Sequence, residues 1–411
     1  MLAHLIEQSI TQRLMVILIT LAILVLGSSA WLSLPIDAFP DVTSPQVKII
    51  LKAPGMTPEE IETRITAIVE TEVLGLPKQK SVRSITKYGL VDITLTFEDG
   101  TDIYWARQQT SERLSGVRDR LPAGLEGGIA PLTTPLSDIL MFTLDSHQMS
   151  LADRRSLLDW VIRPALRTVP GVADVNSLGG EVRTYEVEPD PERMATHGVT
   201  FEQLQQVLQN NNQNDGAGRL IEGEEVLIIR SMGQFSHLAD IQALRIVQRD
   251  QQPVTVGDVA KVHLASMTRY GGVTRNGEGE TVEGVVLAMI GSNSKAVLEN
   301  VLIKLDELKS ALPASVELNV FYNRGQFFYG AMHTIYIALI EASILVLLVL
   351  FVFLGNWRAA TSVALLLPLA LLASMILMQI TGLSANLMSL GVLIIALGIM
   401  IDSGVVVVEN M

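Results

Sequence analysis

The chain has 411 residues, of which 49% are hydrophobic and 18% charged, and its formal net charge is −13 at pH 7. This balance is too apolar for a disordered chain, and the acidic excess excludes a surface that binds nucleic acid through its phosphates. The sequence contains no cysteine, which excludes disulfides, thiolate metal ligands and cysteine nucleophiles.

Four apolar stretches predict transmembrane helices, because a bilayer core of roughly 30 Å is crossed by about 20 apolar residues in a helix. They are residues 14–34, 335–354, 359–380 and 385–408. Only Glu341 and Asp402 are charged within them. The connections between the last three stretches, 355–358 and 381–384, are too short to supply the polar shell that buried helices of a soluble protein need. We therefore expect membrane insertion.

The first stretch has an alternative interpretation as a cleaved signal peptide, with the small residues 27–30 (GSSA) as the cleavage site. The apolar segment of a signal peptide usually has about 7–15 residues, and this one is longer, which favours an uncleaved helix. Arg13 and Arg358 place the N-terminus and the connection 355–358 in the cytoplasm by the positive-inside rule. Residues 35–330 are then expected outside.

Residues 35–330 alternate between amphipathic helices and short strands in two similar copies. The first copy is predicted to contain helices 58–74 and 104–121 and strands 82–86 and 90–97. The second is predicted to contain helices 153–168 and 296–312 and strands 173–178 and 183–187. The last helix of each copy ends in a related sequence, LPAGLE at 121–126 and LPASVE at 312–317.

Each copy predicts a β-α-β-β-α-β unit, the split-βαβ or ferredoxin-like arrangement. An extra segment, roughly 190–270, interrupts the second copy and is predicted to contain a helix at 201–208 and a hairpin-like polar tract at 210–214. An α+β protein without duplication would show the same alternation, but it would not explain the shared helix endings.

Asp402 is the first candidate functional residue, since it lies inside an apolar stretch (GIMIDSG, 398–404). A carboxylate there costs roughly 2.5–3.5 kcal/mol on insertion scales, so such residues are functional candidates by default. A carboxyl group held away from water can bind and release protons near neutral pH, which predicts a proton relay. The alternative is that Asp402 only hydrogen-bonds a neighbouring helix. Glu409 is a second relay candidate near the same helix face, and Glu341 is a weaker one.

Signatures of soluble enzymes are absent from the sequence. It contains no Gly-Lys-Ser/Thr phosphate loop, and its six histidines never fall three or four residues apart, so neither ATP hydrolysis nor a zinc site is expected. We predict a transporter without a cofactor rather than an enzyme. Met388 and Met400 flank the Asp402 region and are candidate ligands for soft Cu(I) or Ag(I). The alternative role for both methionines is packing.

Four sequence segments carry a resemblance to a known family. They are PIDAFPDV at 35–42, FEDGTDIYWAR at 97–107, NLMSLG at 386–391 and VEN at 408–410. With one transmembrane helix before a duplicated exterior region, the chain resembles the resistance–nodulation–division (RND) exporters, and within them the heavy-metal efflux branch. The resemblance covers the whole chain but only the N-terminal half of such a transporter. We therefore expect the chain to be truncated near Met411 and unable to transport alone.

The resemblance implies a multi-pass inner-membrane α-helical protein with a large α+β periplasmic insertion. It also implies a homotrimer that exchanges protons for metal cations, joined to a periplasmic adaptor protein and an outer-membrane channel. Asp402 matches the family's relay aspartate. The implied boundaries are 1–34 for the N-terminal segment and first transmembrane helix, 35–181 for porter subdomains, 182–272 for the docking insertion, 273–330 for the remaining porter part and 331–411 for transmembrane helices 2–4.

The metal and the substrate class stay open at this point. Many divalent-metal members carry a second aspartate where Ala396 lies, and drug exporters carry one where Ser403 lies. Met388 and Met400 favour the copper–silver type, whereas the PIDA opening favours the cobalt–zinc–cadmium type. The alternatives are an exporter of drugs or other small molecules, which the 5% aromatic content disfavours, and a non-transporting membrane scaffold or sensor.

Overall fold

The computed structural model describes residues 11–34, 43–222, 225–231, 233–249, 252–354, 357–386, 388–393, 395–396, 399 and 406. These residues form a long N-terminal helix, two mixed helix–sheet layers, a smaller inserted unit and two long C-terminal helices. The N-terminal helix, α1, is Arg13–Ser33 and contains most of the first predicted span.

The first sheet has four strands in the order β2-β3-β1-β4. Its elements are β1 (Gln46–Lys52), helix α2 (Pro58–Ile61, Glu62–Thr66 and Ala67–Val73, the middle part a π turn), β2 (Gln79–Lys87), β3 (Leu90–Phe97), α3 (Ile103–Val117) and β4 (Glu126–Ile129). Alternate residues of β3 are buried, and they pack on a face of α2 whose apolar residues recur every four positions. The capping box of Thr57 and Glu60 fixes the start of α2.

The second sheet has the order β6-β14-β5-β15, with the short β13 also paired to β14. Its elements are β5 (Asp138–Asp145), α4 (Leu151–Leu157, Leu158–Ile162 and Arg163–Arg167, again with a central π turn), β6 (Val172–Gly179), β13 (Val273–Thr274), β14 (Glu280–Ala288), α9 (Ser294–Lys309) and β15 (Glu317–Asn323). In both sheets the strand after the second helix lies beside the first strand. The two layers therefore share one strand order.

One strand of the second sheet was predicted wrongly. The sequence analysis gave residues 183–187 to this sheet, but the strand there, β7 (Arg183–Pro189), pairs with β12 (Ala260–Ser266) in a separate two-stranded sheet. The central position belongs to β14, far along the chain, which is buried on both faces as a central strand must be. The alternating polar residues of β7 suit a strand with one solvated face.

The inserted unit has its own apolar core, to which Val199, Leu204 and Val256 contribute. Besides β7 and β12 its elements are α5 (Pro191–His197), α6 (Phe201–Asn211), β8 (Asp215–Glu222), β9 (Glu225–Ser231), α7 (Leu238–Gln242), β10 (Arg245–Arg249), β11 (Gln252–Thr255) and α8 (Val256–Val259). The polar tract 210–214, predicted as hairpin-like, instead ends α6 and leads into β8. The hairpin is the β8–β9 pair that follows it.

Two long helices complete the fold, α10 (Arg324–Leu354) and α11 (Trp357–Thr381), and they contain the second and third predicted spans. Among the described residues, one helix, Arg13–Trp31, has the length and hydropathy to cross a membrane. A shorter apolar helical stretch, Pro368–Thr381, lies within α11. The first predicted span thus coincides with a helix of the required kind, and the other three stay predictions.

Candidate functional site

The helices α1 and α11 pack against each other and share a small apolar core. Ala30 and Leu34 of the α1 end are buried against Met375 and Met378 of α11. Gly27 permits this approach, since a Cβ built on it would lie 2.5 Å from Cβ of Leu372. Small residues at such contacts let two helix backbones come close, which is how helices associate in a bilayer.

A polar contact accompanies this packing. The side-chain amide of Gln379 on α11 donates to the hydroxyl oxygen of Ser33 on α1 at 3.0 Å. In the segment 27–30, which the alternative interpretation treated as a cleavage site, Gly27 and Ala30 therefore lie on the face of α1 that packs on α11, whereas Ser28 and Ser29 are exposed. Cleavage of the chain in this segment would remove the contact between α1 and α11.

A tight turn after α11 directs the chain into its last helical segment. The amide of Leu383 donates to the carbonyl of Met378 at 2.9 Å, and that of Gly382, whose φ is +72°, donates to the carbonyl of Gln379 at 3.3 Å. This is the Schellman arrangement, in which a left-handed glycine satisfies the last carbonyls of a helix.

The next helix starts at a reciprocal cap between Asn386 and Ser389. The Ser389 amide donates to Oδ1 of Asn386 at 2.9 Å, and the Asn386 amide donates to Oγ of Ser389 at 2.9 Å. Asn386 is buried, and its carbonyl accepts the first helical hydrogen bond from Leu390. Satisfying both groups fixes where this helix begins and how it leaves the turn.

The predicted site residues fall at and beyond this helix start. Met388 lies in its first turn with 65% of its surface exposed, so it is not part of the buried α1–α11 core. Met400, Asp402 and Glu409 lie outside the described residues. Glu341 lies in α10 with an exposed side chain. Of these five residues, the structure describes Met388 and Glu341.

Two methionines of α11 that the sequence analysis did not single out are buried against α1. Met375 and Met378 pack in one apolar cluster with Ala30 and Leu34, where a flexible thioether can fill irregular space. The signal that could have found them is their spacing of three residues, which places both on one helix face.

Two carboxylates of the second sheet are paired with arginines. Asp174 lies 3.0 Å from Arg163 and 3.4 Å from Arg167. Asp145 is paired with Arg275 and accepts the Thr281 hydroxyl at 2.7 Å. Among the described residues, no group of three or more His, Asp or Glu side chains is arranged to hold a metal ion.

Burial raises the pKa of two further acids in the second sheet. Desolvation raises the pKa of Glu283 on β14 above its ordinary value. Desolvation also raises the pKa of Asp138 at the start of β5, where the charge of Arg324 opposes it. No arginine or lysine within the described chain forms an ion pair with either carboxylate. Partial burial thus reduces the solvation of both carboxylates.

Two surface grooves are lined by charged residues. A groove of about 740 Å³ between α3 and β4 is lined by Arg107, Arg118 and Asp119, and burial lowers the pKa of Arg107. A second, of about 990 Å³, lies in the inserted unit, where Asp190 and Asp258 accept backbone amides at the starts of α5 and α8. Glu188 also lines the second groove.

Comparison with known proteins places the chain among membrane pumps. The sequence profile of the AcrB/AcrD/AcrF family matches residues 5–411. The chain is 39% identical over 417 residues to "Protein HelA" of Legionella pneumophila, and 38% identical over 419 residues to "Cobalt-zinc-cadmium resistance protein CzcA" of Cupriavidus metallidurans. It is 36% identical over 413 residues to "Cation efflux system protein CusA" of Escherichia coli K12. Each alignment covers 100% of this chain and 39% of the relative.

A solved structure shows the same fold. The crystal structure of a heavy metal efflux pump superposes with a TM-score of 0.88 at 33% identity, over 97% of this chain and 40% of that one. The chain thus spans about two fifths of the length of the relatives it matches. It belongs to the AcrB/AcrD/AcrF family, the RND transporters, and resembles the heavy-metal efflux pumps among them.

Proposed function

We propose that this chain is part of a proton-driven exporter of heavy-metal cations, and that Asp402 is its proton relay. The observation that carries the proposal is the superposition of 97% of the chain on a heavy metal efflux pump. Relatives named for cobalt, zinc and cadmium resistance and for cation efflux support the same substrate class. A drug exporter would lack this support.

The capped helix after α11 supports the role of Asp402. Asn386 fixes the start of a helix, and Asp402 follows 16 residues later in the sequence. At 1.5 Å per residue, a helix continuing from this cap would carry Asp402 about 24 Å along its axis, near the far side of a bilayer core of roughly 30 Å. Glu409 would be a second acid on this path.

The proposed membrane arrangement has four spans, α1, α10, α11 and the segment 385–408, in the inner membrane. The close contact of Gly27 with Leu372 supports side-by-side packing of α1 and α11. Membrane potential supplies about 2.3 kcal/mol per charge per 100 mV, so inward proton movement can drive export. Met388 and Met400 would be soft ligands for the cation on its way, of either the copper–silver or the cobalt–zinc–cadmium type.

The exterior part is proposed to work as porter and docking subdomains with the boundaries 35–181, 182–272 and 273–330. The identical strand order of the two sheets supports a duplication, and the separate core of the inserted unit supports its status as an insertion. The proposed assembly is a homotrimer that joins a periplasmic adaptor and an outer-membrane channel.

The test uses the full-length gene product in liposomes that contain a trapped pH indicator. Addition of Zn²⁺, Co²⁺, Cu⁺ or Ag⁺ is expected to release protons for one class of cation, and Asp402→Asn is expected to abolish the signal. The matched control is Asp306→Asn, because that exterior side chain is 81% exposed. Proton release that is absent for every cation, or unchanged in Asp402→Asn, would overturn the proposal.

A further inference from the structure

The helix α10 begins as a direct continuation of the second sheet. The last residue of β15 is Asn323 and the first residue of α10 is Arg324, so no loop separates the two. Oδ1 of Asn323 accepts the amide of Gly325 at 2.8 Å and holds the first turn in place. The exterior sheet and the helix that contains the second predicted span are thus mechanically joined.

The first turn of α10 is anchored on two sides. The guanidinium of Arg324 donates to the carbonyl of Leu136, in the segment that precedes β5. Gly325 approaches α9 so closely that an added Cβ would lie 2.6 Å from the end of the Leu298 side chain. Leu298 is itself buried in the core of the second sheet.

A third contact lies further along α10. The hydroxyl of Tyr329 donates to Oε1 of Glu299 on α9 at 2.7 Å. The ammonium of Lys295, one turn earlier on α9, lies 3.9 Å from the same carboxylate and 5.7 Å from the centre of the Tyr329 ring. The three side chains form a cluster, the Tyr329 cluster, between α9 and α10.

Two separated contacts fix the direction of a rigid rod, whereas one contact lets it pivot. Gly325 and Tyr329 are four residues apart, or about 6 Å along the helix axis. The 31 residues of α10 extend about 46 Å at 1.5 Å per residue, so a small rotation about Gly325 becomes a large displacement at the far end. The Tyr329 cluster adds a second contact between α10 and α9 that opposes this rotation, beside the packing of α10 on α11.

We propose that the Tyr329–Glu299 hydrogen bond is a positioning contact for cation–proton exchange: it fixes the angle of α10 on α9, so that the second sheet and the membrane helices move together. Tyr329 and Glu299 touch neither the cation nor Asp402 in this role. The inference rests on the proposed function, because it assigns these residues to the coupling step of that exchange.

The experiment measures cation-dependent proton flux by the full-length gene product in liposomes over a range of cation concentrations. Tyr329→Phe keeps the ring beneath Lys295 and removes only the hydroxyl. We expect its maximal flux to fall about threefold to tenfold, the range that loss of one hydrogen bond corresponds to, with an unchanged half-saturating cation concentration. Glu299→Ala should show the same loss, and the double variant should lose no more than either single variant.

Two further variants separate coupling from folding. Glu299→Gln keeps an acceptor oxygen for the Tyr329 hydroxyl and should restore most of the flux that Glu299→Ala loses. Tyr270→Phe removes a hydroxyl from an 83% exposed ring elsewhere and should match wild type. Thermal unfolding of all variants should agree closely, because the cluster is largely exposed.

The outcomes distinguish the two proposals. Wild-type protein without cation-dependent proton flux contradicts the proposed function itself. Active wild type with an unchanged Tyr329→Phe variant, or losses that add in the double variant, overturns the coupling role and leaves the proposed function intact. A raised half-saturating concentration with unchanged maximal flux also overturns it, because that would be an effect on cation binding.

Discussion

Gly27 of α1 and Leu372 of α11 lie in direct backbone contact. A Cβ on Gly27 would lie 2.5 Å from Cβ of Leu372 and 3.0 Å from its carbonyl oxygen. Because the carbonyl oxygen of Leu372 belongs to the backbone, rotation of the Leu372 side chain cannot relieve this clash. The pair therefore sets the distance between the first helix and the third long helix, and with it the packing of Met375 and Met378.

Gly27→Ala is expected to push α1 away from α11. Overpacking at such a contact costs about 1–3 kcal/mol of stability, so thermal unfolding in detergent should occur at a lower temperature. Gly391→Ala is the matched control, since no described heavy atom lies within 4 Å of its added Cβ. Equal unfolding temperatures of the two variants would contradict the close contact.

Asn386→Ala removes the reciprocal cap at the start of the last described helical segment. The Ser389 amide loses its acceptor, and loss of a helix cap typically costs about 1 kcal/mol. Thr20→Ala is the control, because that hydroxyl donates only to the carbonyl of Val16 within its own helix. Thermal unfolding should show a larger loss for Asn386→Ala, and a loss no larger than the control's would contradict the cap.

The Asp145 carboxylate is expected to stabilise the second sheet in a pH-dependent way. Burial alone would raise its pKa, but hydrogen bonds from Thr281, Thr143 and Asn319, together with Arg275, hold the pKa below its ordinary value of 3.8. A carboxyl with a lowered folded-state pKa contributes stability above its unfolded pKa and loses it as pH falls through the folded value.

Asp145→Asn should therefore lower the free energy of unfolding at pH 7 by about 1.5–3 kcal/mol, the range for hydrogen bonds to a charged group. The difference from wild type should shrink as the pH falls below 3.8 toward the lower folded-state pKa of Asp145, where its carboxyl becomes neutral in the folded protein too. Denaturant unfolding across pH 3–7 checks this, and a pH-independent difference would show that charge is not the cause.

Glu283 is expected to behave in the opposite way. Burial raises its pKa above the ordinary 4.5, so its ionised form destabilises the fold. With a raised folded-state pKa, its favourable contribution is complete below the unfolded pKa and is lost as pH rises through the folded value. Glu283→Gln should thus leave stability at pH 4 nearly unchanged and raise it at pH 7. Stability at pH 7 that falls in the variant would contradict the burial effect.

Local sequence signals predicted the helices α2, α3, α4, α6 and α9, but they gave bounds for only four of the fifteen strands that the described residues form. Residues 90–97 alternate between buried and half-buried positions and form a strand with the predicted bounds. The helices predicted at 58–74 and 153–168 are present, and each contains a π turn that periodicity did not indicate. The resemblance to heavy-metal RND exporters is confirmed by the family match and the superposed pump.

The sequence signals did not predict which distant strands pair, as β7 and β14 show. Both contain apolar residues, and their order in the sequence made residues 183–187 the nearer choice for the second sheet. The choice was wrong because Gly179 and Gly180, with φ of +66° and +69°, turn the chain out of the sheet after β6. The chain returns to the central position only at β14, about one hundred residues later in the sequence.

By itself, the sequence determined the apolar first helix, the two helix–strand copies and the family, because hydropathy, periodicity and motifs are local properties of the chain. Tertiary structure alone decided which strands pair, that Gly27 and Ala30 pack on α11, that Met375 and Met378 are buried while Met388 is exposed, and that Tyr329 reaches Glu299. These relations join residues far apart in the chain, and their geometry depends on how whole elements pack against one another.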